Sequence, residues 1–314
     1  MKKHKMTKQK AVRYSIFIGL AILAIFFIMP YFWMLSNSFK STQEILVNPR
    51  HLLPLEPTLS GYEKVLTQSP FFTWFKNSAF ITVTNTVIIL FTSALVGYVF
   101  SKFQFKRKKL LFAILLASMM VPAQTTMIPS FLLINSLGLY NSAGALILPS
   151  FVNAFGIYLC KQFCDEIPRE LIESAKLDGA GDFTIFWKII IPQIRPALGA
   201  LAIFTFLNYW NDYLNPLIML NEVKKMTLPL ALSFFASQHM ADLSATMAAS
   251  ALIMVPVTVV FMIFQKHFIK GIAMTGMKQR RADMANLRLE NINKIYDNKV
   301  QAGFAFNLEV TDKE

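Results

Sequence analysis

Asn208, Trp210, Asn211, Asp212 and Asn215 crowd into one apolar run, "FLNYWNDYLNPLIML", and carry the groups most able to do chemistry in this chain. Amides and a carboxylate hold hydroxyl groups through several hydrogen bonds at once, and an indole offers a flat apolar face. Such a set suits passage or binding of a hydroxylated solute better than catalysis. Asp212 has no second acid within an apolar run, which argues against a proton-coupled carrier or a hydrolase built on paired carboxylates. His4, His51, His239 and His267 are scattered without metal-ligand spacing, and no nucleophile stands beside a base. Cys160 and Cys164, the only cysteines, read as small packing residues in a reducing compartment. Two roles stay open for Asp212: part of a pathway or gate, or a structural hydrogen bond between helices. For Trp210 the choices are a sugar-stacking face, or packing and interface anchoring.

A second constellation, "EIPRELIESAKLDGAGDFTIFWKIIIP", is charged at its start and apolar at its end. Pro168 suits a first helical position, Glu170 the first turn and Gly179 the left-handed residue after a helix end. Asp182 is placed to cap a second helix that Pro192 helps to end. Its limb of Phe183, Ile185, Phe186, Trp187, Ile189 and Ile190 is too apolar for free surface, so it must pack on the chain's own core or on a partner.

The elements that position both sets belong to a membrane protein. With 54% hydrophobic and 16% charged residues and a mean hydropathy of +0.45, the chain is too apolar for an ordinary soluble domain. Runs of about 20 apolar residues are needed per span. Six are expected: Tyr14 to Leu35, Ser78 to Phe100, Leu110 to Leu133, Ala143 to Phe163, Ala197 to Leu220 and Ser244 to Phe264. The first is read as a retained signal anchor, because "FFIMPYFWM" offers no small-residue cleavage site. Pro122 and Pro129, with Gln124, Thr125 and Thr126 between them, break the third span, as the amides break the fifth. Irregular polar backbone at that depth must face protein or a water-filled cavity. The net charge of +13 gathers beside the apolar runs, at the N-terminus, at Lys102 to Lys109 and after the sixth span. That pattern anchors a membrane protein by its cytoplasmic side and argues against nucleic acid. Both termini, and the helix-turn-helix between spans four and five, are therefore expected in the cytoplasm. Asn37 to Asn77 is expected outside, with a short helix from about Ser60.

The spacing of Glu173, Ala175, Gly179, Ile189 and Pro192 resembles the signature loop of membrane subunits of ATP-binding-cassette importers, E-A-A-x-x-x-G-x9-I-x-L-P. Ser174 stands where the pattern has its first alanine and Ile191 where it has its leucine. Further stretches, "LSNSFKS", "PTLSGYEKVL", "WFKNSAFIT", "YWNDYLNPLIML", "TLPLAL" and "QKHFIKGIAMTGMK", are similar to carbohydrate permeases like the second membrane subunit of the maltose importer. The likeness runs from Met1 to Lys278. It implies an all-α integral membrane subunit in a bacterial cytoplasmic membrane, with no catalysis of its own, importing a sugar, with an oligosaccharide favoured. Implied partners are membrane lipid, a second permease, an extracytoplasmic sugar-binding protein and two ATPase subunits that bind the ATP and magnesium. In such loops Glu173 would make the polar contact to the ATPase, Ala175 would permit close approach and Gly179 would make the turn. Ser174, Asp178, Ala180, Ile189 and Pro192 complete that coupling loop. Rival readings are the same machine for a non-sugar solute, and an integral membrane enzyme, for which no active-site constellation is visible.

Three segments result: a basic N-terminus over 1–13, a permease domain over 14–278 and a tail over 279–314. The tail alternates like strands, with Phe304, Phe306, Leu308 and Val310 at every second position and a turn near Asp297 and Asn298. From Met284 it resembles the opening strands of importer ATPases, where Tyr296 would match the aromatic residue that stacks on adenine. No phosphate-binding G-x-x-x-x-G-K-[ST] occurs, so the chain is not expected to hydrolyse ATP. The tail is read as a fusion or read-through remnant, or alternatively as an extension that adds strands to a partner. As a remnant it could still block the ATPase groove and leave the product nonfunctional.

Overall fold

The computed structural model describes residues 2–238, 242–282, 287–295 and 301–310. Helix α1 (Lys2–Asn37) is apolar on every face from Tyr14 to Leu35, and those side chains stay largely exposed in the single chain. Only hydrocarbon or another apolar helix can cover such a surface. The residues that follow turn polar and inward: Asn37, Ser38 and Lys40 are buried. Lys40 donates to the His51 carbonyl, and Ser38 Oγ lies 2.7 Å from Tyr62 Oη. These bonds fasten the loop after α1 onto two short helices, α2 (Thr42–Val47) and α3 (Ser60–Gln68). The start expected near Ser60 is thus observed, whereas α2 was not foreseen.

The centre of the bundle is α4 (Phe71–Lys102), longer than its expected span at both ends. Its apolar residues bury against two clusters, one around Trp74, Ile81 and Trp210, the other around Ile89, Tyr98 and Cys160. Thr86 Oγ1 donates to the Thr82 carbonyl and Thr92 Oγ1 to that of Ile88, whereas Thr82 Oγ1 and Ser93 Oγ are buried without a hydrogen-bond partner. The third expected span is two helices, α5 (Lys108–Ser118) and α6 (Ala123–Ser136), bent by 102° across Met119 to Pro122. Pro122 stops the chain from continuing α5, while Pro129 is absorbed within α6. The fourth is interrupted as well: α7 (Ala143–Ile147) and a 3-10 turn precede α8 (Ala154–Asp165), with the Asn153 side chain accepting from the Gly156 N–H at 2.7 Å.

After α8 the chain forms α9 (Arg169–Leu177) and α10 (Asp182–Ile185), then a π-helical turn over Phe186–Ile190 and α11 (Ile191–Gln193). Pro192 lies one residue before the end of this limb, within a residue of the stop expected from sequence. It removes one N–H from the helical ladder, the Ile191 N–H bonds five residues back to Phe186, and the helix carries on to Gln193. There it bends by 77° into α12 (Arg195–Trp210). The fifth expected span is likewise not continuous: α12 stops at Trp210 and α13 (Leu214–Met219) restarts. Two further helices follow, α14 (Leu228–Gln238) and α15 (Leu243–Ala282), the latter outrunning the sixth expected span. Four described helices are long and apolar enough to cross a membrane, or up to six if each bent pair is one span.

By its internal contacts the chain divides into two units, Met1–Ile263 and Phe264–Glu314. The second unit holds an antiparallel pair, β1 (Leu287–Ile295) and β2 (Gln301–Val310), with Leu289 opposite Leu308 and Ile292 opposite Phe306. The strands expected from alternation are therefore present. Met284, Tyr296, Asp297, Asn298 and His239 lie outside the described residues.

One ionic tie closes the first unit end to end. Asp242, just before α15, accepts from Lys64 Nζ at 2.5 Å, Thr42 Oγ1 at 2.8 Å and the Ala245 N–H at 3.1 Å. Burial works to raise its pKa, but the Lys64, Ala245 and Thr42 hydrogen bonds outweigh this and hold the carboxyl below its ordinary value. A depressed folded pKa adds stability above the unfolded value, about 3.9, and loses it as pH falls through the folded value. Thermal melts should therefore separate the wild type from Asp242→Asn at pH 5 to 7, and the gap should narrow as pH falls below about 3.9 and through the folded value. A gap of constant size across that titration would show that the tie is not ionic.

Candidate functional site

The break between α12 and α13 creates the larger of two functional features. Asn211 folds back onto its own helix, its backbone N–H and Nδ2 both reaching the Leu207 carbonyl, at 3.1 and 2.9 Å. Asp212 Oδ2 accepts from Asn215 Nδ2 at 2.9 Å, and Oδ1 receives the Asn215 backbone N–H at 3.3 Å. These local bonds give some of the backbone groups freed where the helix stops and restarts a hydrogen-bond partner. They also turn Asn208, Asn211, Asp212, Tyr213 and Asn215 to a cavity of about 600 Å³. Across it stands Gln124 in the first turn of α6, beyond the other proline break. Phe204, Leu207 and Leu214 supply apolar wall.

The structure thus brings together the polar residues of the third and fifth spans, which the sequence could group only by composition. Four of the five residues first singled out line the cavity. Trp210 does not. Its ring is 1% exposed, stacks on Phe206 with 5.6 Å between centroids, meets Phe75 edge-on at 5.7 Å, and donates to the Ile253 carbonyl. Packing is its role here, so the sugar-stacking face is withdrawn. The rings on the cavity are Phe204 and Tyr213, the latter missed by sequence reasoning although it adjoins Asp212.

The second feature is the hinge of α9 and α10. Gly179 has φ +81°, its N–H bonds to the Lys176 carbonyl at 3.0 Å, and the Ala180 N–H reaches the Ala175 carbonyl at 2.9 Å. That pair of bonds stops α9 cleanly and needs a residue free to adopt positive φ, as expected for Gly179. Pro168 sits one residue outside α9 instead of at its first position. Asp182 is not the cap of α10, since Gly181 occupies that place; its carboxylate reaches back to Lys176 Nζ at 3.0 Å and braces the hinge. Ser174 Oγ donates to the Glu170 carbonyl at 2.8 Å.

The hinge has two faces of opposite character. Ile172, Ile185, Phe186 and Ile190 are buried with Ile89 and Tyr98 of α4, with Ala175, Ala180 and Ile189 packed at the margin. On the other side Glu173, Asp178 and Pro192 are exposed. Beside them Leu177 is 89% and Phe183 64% exposed. The apolar limb therefore splits, most of it serving the chain's own core while Phe183 is left out. Trp187 is intermediate in role: half-exposed, yet stacked on Phe91 of α4 at 6.3 Å.

Comparison with known proteins places this arrangement. Residues 89–274, which include both features, match the family described as binding-protein-dependent transport system inner membrane component. The arabinooligosaccharides transport system permease protein AraQ of Bacillus subtilis is 33% identical over 270 residues, 85% of this chain and 96% of that protein. The diacetylchitobiose uptake system permease protein NgcG of Streptomyces coelicolor is 31% identical over 79% of this chain and 83% of its own length. Among solved structures, a chain of a bacterial ABC transporter involved in import of the acidic polysaccharide alginate superposes with a TM-score of 0.74 at 26% identity. It covers 82% of this chain and 97% of the other. With the family match over most of the bundle and relatives aligned over nearly their whole length, the chain belongs to the inner membrane components of binding-protein-dependent transport systems, among the sugar permeases of ABC transporters.

Proposed function

We propose that this chain is one membrane half of an importer that moves an oligosaccharide across a bacterial cytoplasmic membrane, driven by ATP hydrolysis in partner subunits. The observation that carries the coupling role is the two-faced hinge. One face is locked into the bundle through Ile172, Ile185, Phe186 and Ile190, and the other presents Glu173 between exposed apolar side chains, Leu177 foremost. A short, sharply stopped helix seated in a partner's groove transmits rigid-body rotation, and contacts that differ between two states provide the coupling energy.

In this reading Glu173, Ser174, Ala175, Asp178, Gly179, Ala180, Ile189 and Pro192 form the cytoplasmic coupling loop. The cavity at Asn208, Asn211, Asp212 and Asn215 belongs to the solute pathway or its gate. ATP and magnesium are bound by two ATPase subunits and not by this chain. A second permease completes the pathway and covers apolar surface such as that of α1, and an extracytoplasmic binding protein delivers the sugar. Both termini lie in the cytoplasm, as the basic flanks of the spans favour. The oligosaccharide class follows the cargoes named for the relatives AraQ and NgcG.

Co-purification with a candidate ATPase, followed by uptake of labelled oligosaccharides into vesicles holding the full complex, tests the proposal. ATP-dependent accumulation is the expected result. A complex that assembles but moves no saccharide while accumulating another solute would overturn the carbohydrate assignment.

A further inference from the structure

The charge of the cavity bears on which saccharides can pass, an inference that rests on the transport reading above. The side chains around it offer many hydrogen-bonding groups: the amides of Gln124, Asn208, Asn211 and Asn215, and the phenol of Tyr213. Amides donate and accept, so they serve hydroxyls of any orientation. Among the described residues the single charged group on its walls is the Asp212 carboxylate, and no Lys, Arg or His lines it. Asn215 engages both Asp212 oxygens, which fixes the carboxylate at the break between α12 and α13 and stops it swinging away from an approaching ligand.

We infer that the cavity formed by α6 and the α12–α13 break selects saccharides by charge, admitting neutral or amino sugars and rejecting uronic acids, with Asp212 as the discriminating residue. A uronate carboxylate entering this space would meet a fixed like charge with no cation on these walls to offset it. Discrimination of this kind works by repulsion of the wrong ligand and not by tighter grip on the right one. A like charge held a few ångströms away in a partly desolvated site lowers affinity by about tenfold or more. The importer would accordingly differ in cargo from one built for an acidic polysaccharide, despite a shared fold.

The test uses the complete complex in lipid nanodiscs, with ligand-observed saturation-transfer NMR on trisaccharides of matched length. The neutral probes are arabinotriose, maltotriose and triacetylchitotriose, and the acidic probe is trigalacturonate. At least one neutral trimer should bind about tenfold more tightly than trigalacturonate. Asp212→Asn, which keeps size and, with the Asn215 amide turned to accept, its hydrogen bonds, should bring the two within about threefold by admitting the acid. Asp212→Glu, which keeps the charge, should preserve the preference, and gel filtration of each variant complex reports folding. Equal binding of neutral and acidic trimers to the wild type, or a preference untouched by Asp212→Asn, would overturn the charge filter while leaving sugar transport standing. Binding of none of the trimers would overturn both.

Discussion

Replacing Glu173 by alanine is expected to lower solute-stimulated ATP hydrolysis in the assembled importer about tenfold or more while leaving the chain's melting temperature unchanged. The two halves of that expectation come from different faces of one helix. Glu173 is exposed on α9 and contributes nothing to the buried cluster that holds the hinge, which Ile172 and Ala175 serve instead. Exposed substitutions of this kind usually move stability by no more than about 0.5 kcal/mol. A contact that differs between two coupled states carries roughly 1–3 kcal/mol, so its loss should lower stimulation about tenfold or more. The measurement is ATPase rate with and without loaded binding protein, beside thermal unfolding of the same preparations. Ile172→Ala serves as the converse case: it empties a buried site, so it should lower the melting temperature together with activity. If Glu173→Ala melts early, the residue is a fold element and the coupling reading fails. If it melts normally and is stimulated normally, the partner does not contact this face.

Much of this hinge was legible before any coordinates, because the physics that makes it is local. Gly179 announces a left-handed helix stop within a few residues of sequence, and the break at Pro122 follows from a missing N–H and a crowded preceding residue. Where two local signals competed, sequence misjudged the outcome. Asp182 is a sound capping residue, but Gly181 takes the position, and Lys176 on the preceding helix offers the carboxylate a better partner. Pro192 fared better, since the limb ends at Gln193, one residue beyond it, and bends by 77° into α12. Features that depend on distant residues were not legible. Trp210 became a packing residue because Phe75 lies against it, and Gln124 joined the amide cluster because two separate helix breaks meet. The packing role of the cysteines, by contrast, needs only their size: both are free thiols buried against α4.

Those cysteines lie in the seam whose disruption should cost the fold most, and Gly97→Ala is expected to be enough. Ser93, Gly97 and Ser101 on α4, and Gly156, Cys160 and Cys164 on α8, are small residues spaced four apart. Such spacing lets two helix backbones approach closely, the packing that joins helices where hydrocarbon gives no hydrophobic drive. A Cβ at Gly97 would stand 2.8 Å from Cys160 Cβ and 2.8 Å from the Lys161 backbone nitrogen. The second neighbour is main chain in mid-helix, so it yields only if α8 moves as a whole. Overpacking of this kind costs about 1–3 kcal/mol, and a larger side chain such as Val should cost more. Fluorescence-detected gel filtration and thermal unfolding in detergent should show Gly97→Ala melting several degrees early and Gly97→Val failing to give a monodisperse peak. Gly19→Ala is the control, since a Cβ there meets nothing within 4 Å and alanine suits a helix better than glycine. Cys160→Gly should not rescue Gly97→Ala, because removing the cysteine Cβ leaves the Lys161 nitrogen in place. Full rescue would mean that the side-chain contact, and not the approach of the two backbones, sets the spacing of α4 and α8.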